Sequence, residues 1–203
     1  MANFSAATGL SPVGTITGAP FNEQGTLFAI SGDDSTNSYA IGDVVAITAG
    51  NDANGIGTIT KSAASTKSVG VIVGIQPVDA GVSLQGTALD LSKLWLTINS
   101  NPGGYRYAYV VTDPNVVFQV QAAGSVTGKV GSTAALVVPA ANQTSLAQSA
   151  PFSNEYVTVD ASATLASMFQ IVGVAQRPDN SVGTYNKVLV KFQIHQYTSA
   201  IGS

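Results

Sequence analysis

The residues best suited to chemistry in this chain are few and lie far apart. The single histidine, His195, would have to serve any Ser-His-Asp site, but the chain contains no Gly-x-Ser-x-Gly turn to carry the nucleophile. The chain has no cysteine and no second histidine, so the ligands that usually hold zinc are missing. We therefore expect His195, near the end of a C-terminal strand, to be structural or solvated. The sequence predicts no catalytic residue, no metal and no cofactor.

The segment Gly124-Ser125-Val126-Thr127-Gly128-Lys129 is partly similar to a phosphate-binding loop. That loop has its first glycine where this chain has Ala123, and a serine or threonine where this chain has Val130. Two of the four fixed positions therefore fail. The segment is better interpreted as a turn between strands.

Acidic and amide side chains could bind calcium through their oxygens in two places, at Asp33-Asp34 and around Asp52, which lies between Asn51 and Asn54. Neither segment has the spacing of an EF-hand loop. Clusters of Asp and Asn form turns without metal far more often, because their side chains bond to the nearby backbone. We interpret both as turns.

Tyr105, Tyr107 and Tyr109 alternate along one segment, so a strand there would place them on one face. Such a row could be a sugar platform, with weak support from the single tryptophan, Trp95. Aromatic pairs that stabilise a sheet are the more common use of this pattern.

The elements that position these residues are predicted to be short strands. Apolar residues repeat with a period of two, and Gly, Asn, Asp and Pro clusters separate the repeats. The predicted strands are 26–30, 43–48, 56–60, 69–76, 94–98, 105–111, 116–121, 168–175 and 187–195. Short helices are predicted within 139–148 and over 161–167. The chain is therefore predicted to be all-β, a single β-barrel or β-sandwich with one or two short helices and an extended N-terminal arm.

Charged residues make up only 9% of the chain, against roughly 25% in an average soluble domain. Eight Lys and Arg and a pI near 4.8 argue against nucleic-acid binding, which needs a basic surface. No apolar run approaches the ~20 residues of a membrane span, and the N-terminus lacks the pattern of a signal peptide. We expect a protein made in the cytoplasm, whose uncharged surface lies against other protein.

The first 22 residues carry no charge and have neither a helix nor a clean strand period. We expect an arm over 1–22 that is held by a partner chain or by a groove on its own fold. A barrel or sandwich domain over 23–196 and a tail over 197–203 follow. The candidate partner contacts are the single apolar residues of the arm: Phe4, Leu10, Val13, Ile16 and Phe21.

Several short segments together resemble a family of structural proteins of tailed bacteriophages. They are 9–13, 18–22, 42–45, the Asn-Gly turn at 54–55, 69–74, 105–121 and 189–196. Ser11 stands where the family often has a basic residue, and 130–167 has no counterpart in the pattern.

The resemblance implies a head decoration or cement protein that binds the outer surface of a capsid and stabilises the shell. Its partners would be the major capsid protein and further copies of itself, as a dimer or trimer, and it would be located in the virion. Two alternatives remain: another phage component, such as a tail tube or head-completion protein, and a carbohydrate- or receptor-binding β module. An enzyme is the weakest interpretation.

Overall fold

The described part of the chain consists of strands joined by turns and loops. The structure is a computed structural model that describes residues 3–22, 24–31, 33–34, 36–63, 66–76, 95–96, 105–139, 153–159 and 167–198. Within these ranges there is no helix, and so none that is long and apolar enough to cross a membrane. The two predicted helices fall almost entirely outside the described residues. The all-β class predicted from the sequence is confirmed.

Thirteen strands are present in the described residues. They are β1 Ser11–Thr15, β2 Thr26–Ile30, β3 Tyr39–Ala40, β4 Val44–Asn51, β5 Gly57–Lys61, β6 Gly70–Gln76, β7 Trp95–Leu96, β8 Arg106–Val111, β9 Val116–Ala123, β10 Thr133–Val137, β11 Tyr156–Val159, β12 Phe169–Val174 and β13 Lys187–Phe192. Every predicted strand overlaps one of these. Strands β1, β3, β10 and β11 were not predicted, because their segments lack a clear apolar alternation.

Five strands close into a barrel in the order β2-β5-β4-β6-β8. All neighbours are antiparallel except β2 and β5, which are parallel. Alternate side chains of these strands fill the interior, because successive residues of a strand point to opposite faces. The interior residues include Phe28, Ile30, Val45, Ile59, Ile72 and Val110.

A second sheet contains β1, β9, β11, β10, β12 and β13 in that order. Because β13 also pairs with β9, with Leu189 opposite Gln119 and Val190 opposite Phe118, the strands from β9 round to β13 form a circuit that leaves out only β1. Each strand of this circuit therefore has a partner on both sides. Inside it the ring of Phe192 meets that of Phe118 edge to face at 5.7 Å between centroids, and that of Phe169 at a tilt at 4.9 Å.

The barrel and the second sheet share a layer of buried side chains. Val45 points into the barrel, whereas its neighbour Val44 packs in the core of the second sheet. Likewise, Ile72 points into the barrel and its neighbour Val71 packs in the core of the second sheet. Strands that are covered on both faces must be apolar on both faces, which explains the runs of valine and isoleucine in the sequence.

A glycine allows β6 and β8 to approach closely at Gly70. A Cβ at this position would lie 2.0 Å from the carbonyl oxygen of Val111 and 2.8 Å from a methyl of Val110. Since the obstacle is backbone, it cannot move aside as a flexible side chain would. Glycine suits this position of the strand because it lets a neighbouring backbone approach closely.

Replacing this glycine should therefore destabilise the barrel. We expect Gly70→Ala to lower the free energy of unfolding by about 1–3 kcal/mol or more, as overpacking does. Gly173→Ala in β12 is the control, because its Cβ would meet only Leu189 at an ordinary 3.7 Å. Urea unfolding of both variants checks this, and equal stabilities would contradict the close approach at Gly70.

Candidate interaction surface

The N-terminal arm is seated on the fold of its own chain. Strand β1 pairs antiparallel with β9, with Ser11 opposite Gln119 and Thr15 opposite Val116. The backbone N–H of Leu10 donates to the carbonyl of Gly42 at 3.0 Å, and the Leu10 side chain is 1% exposed. Of the five predicted partner contacts, Leu10 therefore belongs to the core of this chain, because its side chain packs between the two sheets.

The arm crosses the barrel at the point where Gly9 contacts Gly42. A Cβ on Gly9 would lie 2.4 Å from Cβ of Ser153 and 2.7 Å from the carbonyl oxygen of Gly42. Gly9 also has a φ of +70°, which non-glycine residues seldom adopt. The segments 9–13 and 42–45, which both carried the family resemblance, are thus in direct contact.

Polar contacts hold the start of the arm against the second sheet. The Asn3 amide donates to the carbonyls of Ser181 and Thr184 at 2.7 and 2.8 Å, and the Ser181 N–H donates back to Asn3 Oδ1 at 3.0 Å. Lys187 Nζ donates to the Ala6 carbonyl at 2.6 Å. Burial, and then the nearby Arg177, lower the pKa of Lys187. The first described residues of the arm are therefore held to the fold by hydrogen bonds.

Three arm side chains nevertheless point to the surface. Phe4 is 88% exposed, and Val13 and Ile16 are each nearly half exposed. Val13 lies at an irregularity between Pro12 and Gly14, where the register of β1 against β9 shifts. Such a bulge re-aims a side chain away from the ladder. Phe21 instead packs partly against the core of the second sheet.

The loop between β12 and β13, which Asn3 contacts, also exposes apolar side chains. Asn3 donates to the carbonyls of Ser181 and Thr184 in this loop. Val182 is 59% exposed and Tyr185 is 42% exposed. Tyr185 has a φ of +59°, a conformation that costs a bulky residue energy.

A groove of about 1160 Å³ runs between the arm and the barrel. Its walls are the arm and its connection to β2 on one side, and β6 and β8 on the other. The apolar lining includes Leu10, Pro12, Phe21, Ile41, Val73 and Tyr109. Among the described residues that line it, Asp113 alone is charged.

A buried ionic cluster joins the barrel to the segment that precedes β11. Lys61 Nζ lies 2.9 Å from Asp43 Oδ2 and 3.7 Å from Glu155 Oε1, and all three side chains are at most 3% exposed. The Val44 N–H donates to Glu155 Oε2 at 2.9 Å, and the Ala40 N–H donates to Asp43 Oδ2 at the same distance. The cluster is thus tied to the backbone on the barrel side.

One ammonium faces two carboxyl groups in this cluster. Burial, followed by the negative charge of Asp43, raises the pKa of Glu155 well above its ordinary value of 4.5. The nearby Lys61 acts in the opposite direction, but it is also bound to Asp43. Glu155 is therefore the carboxyl group that holds a proton most readily.

The single histidine is a structural residue. His195 is 1% exposed, the Tyr197 N–H donates to its Nδ1 at 3.2 Å, and its Nε2 lies 2.7 Å from the Val69 carbonyl. Because Nδ1 accepts, Nε2 carries the hydrogen and donates it, which defines a neutral ring. Burial lowers the pKa of His195 and favours the same neutral form.

In the predicted turns, the carboxylates of Asp52 and Asp34 accept hydrogen bonds from residues close by in the sequence. Asp52 accepts hydrogen bonds from the N–H groups of Asn54 and Ile56 at 2.9 and 2.8 Å, and from the Tyr107 hydroxyl at 2.7 Å. Asp34 likewise accepts from residues 36, 37 and 39. Over the ranges that the structure describes, no group of three or more metal-ligating side chains converges. The segment 124–129 forms the turn after β9.

The three tyrosines of the predicted row, Tyr105, Tyr107 and Tyr109, differ in how deeply they are buried. Tyr107 is 5% exposed, and burial together with the hydrogen bond to Asp52 raises its pKa to about 12. Tyr105 and Tyr109 are half-buried, and Tyr109 lines the groove. The side chain of Trp95 lies outside what the structure describes, so its predicted contribution to sugar binding stays a prediction.

Comparisons of the chain with protein families, with curated proteins and with solved structures find no match.

The contrast between Leu10 and Phe4 gives a test of how the arm is seated. We expect Leu10→Ala to lower the free energy of unfolding by about 2–5 kcal/mol, as for other buried leucines. Phe4→Ala should change it by less than about 0.5 kcal/mol, because the ring is exposed. Chemical denaturation measures both. Equal, small effects would mean that the arm is not part of the folded core.

The Glu155 carboxyl predicts a pH dependence of stability. A raised pKa in the folded protein means that Glu155 favours folding at low pH, and that this contribution is lost as the pH rises above 4.5. Glutamine does not titrate, so Glu155→Gln should remove this residue's share of the change in unfolding free energy with pH. That share is at most about 1.4 kcal/mol per pH unit. Unfolding free energies of both proteins between pH 4 and pH 8 test this. A difference that does not grow with pH would contradict the raised pKa.

Proposed function

We propose that this chain is a virion structural protein that binds the outer surface of a bacteriophage capsid and stabilises the shell. The observation that carries the proposal is the arm, which is hydrogen-bonded to the fold at Asn3 and at Leu10 yet presents Val13 and Ile16 to solvent. Exposed apolar side chains on a rigid support lose little conformational entropy when a partner covers them. The resemblance of the sequence to phage structural proteins gives the class of partner.

The low charge of the chain supports a surface that is covered by protein. Only 19 of its 203 residues are Asp, Glu, Lys or Arg, and three of these form the buried cluster. Docking such a surface removes few charges from water, and desolvated charge is a main cost of burial. A shell offers many equivalent sites, so modest affinity per copy is sufficient for dense coverage.

The pairing of the strands limits how a partner can be bound. All strands of the barrel and of the second circuit have neighbours on both sides, and β1 has joined β9 of its own chain. On its outer side β1 contains Pro12 and the bulge at Val13, and the chain returns to pair Pro20 with Gly14. We therefore propose contact through side chains instead of strand addition to a capsid sheet.

The test is binding to capsid shells. Purified protein is mixed with heads assembled from the major capsid protein of the genome that encodes it, and bound protein is measured by sedimentation and located by electron microscopy. We expect regular density on the outer surface. Absence from sedimented heads would overturn the proposal. Stacked rings of the isolated protein would support a tail tube instead, and glycan binding a receptor-binding module.

Variants of the arm make the test specific. Val13→Asp with Ile16→Asp should weaken capsid binding by tenfold or more, because two charges would be desolvated at the contact. Val130→Asp is the matched control, since Val130 is 58% exposed in the turn before β10 and is not part of the arm. Equal binding by both variants would remove the arm from the contact while leaving capsid binding itself intact.

A further inference from the structure

The buried ionic cluster holds an amino group against a carboxyl group, away from solvent. Lys61 Nζ lies 2.9 Å from Asp43 Oδ2, and the two side chains are 3% and 0% exposed. Lys61 is the last residue of β5, and Asp43 lies just before β4, whose Val45 is opposite Lys61. The contact is therefore a diagonal one across the hairpin, which a long lysine side chain can span. An amine and a carboxyl group held in this way can condense to an amide.

Glu155 supplies the third group that such a condensation needs, a donor and acceptor of protons. Its Oε1 lies 3.7 Å from Lys61 Nζ, and its side chain is fully buried. Burial, followed by the charge of Asp43, raises the pKa of this carboxyl group, so it keeps its proton to a higher pH than an ordinary glutamate. A positioned group of this kind accelerates a proton-transfer step by about 10²–10⁴-fold.

One oxygen atom of each carboxyl group is left without a hydrogen bond. Asp43 Oδ1 and Glu155 Oε1 are buried, and no donor among the described residues bonds to either. The second oxygen of each group is held by the backbone, by the Ala40 N–H at Asp43 and by the Val44 N–H at Glu155, both at 2.9 Å. The backbone thus orients both carboxyl groups, while one oxygen of each remains available for proton transfer.

Burial favours an amide over an ion pair at this position. Each buried ion has lost its hydration, and the attraction between the two ions only partly compensates for that loss. Condensation replaces the two charges with one neutral amide and releases water. Reacting groups that are fixed in contact also behave as though present at about 10⁵–10⁸ M. Both effects oppose the hydrolysis that is favoured in bulk water.

We propose that Lys61 and Asp43 are joined by an intramolecular amide bond, which forms in the folded chain with Glu155 as the proton carrier. The Lys61 ammonium passes one proton to the Asp43 carboxylate, and the lone pair of the resulting amine attacks Cγ to form the C–N bond. Glu155 donates its proton to the departing hydroxyl, and the C–O bond breaks with its electron pair on oxygen. Glu155 then takes one proton from the nitrogen and is regenerated. Ammonium and carboxylate thus become an amide and one water, and no other reactant is consumed.

The bond closes a loop that contains the whole of the β4–β5 hairpin. A covalent closure of this kind restricts the unfolded chain, as a disulfide does, in a protein that has no cysteine. The hairpin then stays joined at this end even when the packing around it is lost. This inference does not depend on capsid binding.

Mass spectrometry of the purified, unfolded native chain tests the bond directly. We expect a mass that is lower than that of the sequence by one water molecule, after allowing for any removal of Met1. No lysine or arginine precedes Lys61, so trypsin would ordinarily release the peptide 1–61. With Lys61 in an amide, trypsin should leave this site uncut, and cleavage before Asp52 should leave the two parts of the peptide joined.

Two lysine variants provide a matched comparison. Lys61→Arg keeps the positive charge but has no amine that can condense, so it should have the full mass of its sequence. Lys67→Arg replaces an exposed lysine between β5 and β6 and should still lack one water. Glu155→Gln should form the bond about 100-fold more slowly than the native chain, or not at all, which mass spectra taken at intervals after synthesis measure.

The native chain by itself decides the inference, whether or not each variant folds. A mass equal to that of the sequence would overturn it, as would tryptic cleavage after Lys61 in the form that lacks one water, because that result indicates a succinimide elsewhere. Bond formation at the native rate in folded Glu155→Gln would overturn the role of Glu155. The amide bond without capsid binding would overturn only the proposed function, and capsid binding without the amide bond would overturn only this inference.

Discussion

Lys61, held between Asp43 and Glu155, is the interaction on which the arrangement of the two sheets depends. Asp43 and Lys61 belong to the barrel, whereas Glu155 lies just before β11 of the second sheet. Removing Asp43 or Lys61 from such a buried group leaves uncompensated charge, which costs about 3–5 kcal/mol. The cluster therefore fixes which part of the second sheet faces the barrel, in a layer that is otherwise made of interchangeable valines and isoleucines.

The arm crosses the layer between the two sheets near this cluster. Its position there explains why some of its residues pack in the core and others lie at the surface. Leu10 and Gly9 pack beside Gly42 and Ser153, close to the ionic cluster, so the arm completes the layer between the sheets. Because this part is anchored, the neighbouring Phe4, Val13 and Ile16 are presented on the surface in fixed positions. One uncharged segment thus contains both a core residue, Leu10, and surface residues such as Val13 and Ile16.

Closure of the barrel, and of the circuit that the pairing of β9 with β13 completes, limits the surface that remains for recognition. When strands have neighbours on both sides, their backbone groups are satisfied within the molecule and do not template further strands. Recognition then falls to side chains on the arm and on the loop between β12 and β13. The few charges of the chain, several of them paired or buried, leave apolar and neutral polar contacts as the available chemistry.

The sequence by itself determined the all-β class and most of the strands, because an apolar period of two is a local property. It also predicted the turn at Asp52, and it left open whether His195 is buried or solvated. It did not predict that Leu10 is buried while Phe4 is exposed, since both are isolated apolar residues in the same uncharged arm. Nor did it join Asp43, Lys61 and Glu155, although each is a lone charge in a charge-poor segment. Only the tertiary structure decided these points, because burial and ion pairing depend on segments distant in the sequence that meet when the two sheets pack.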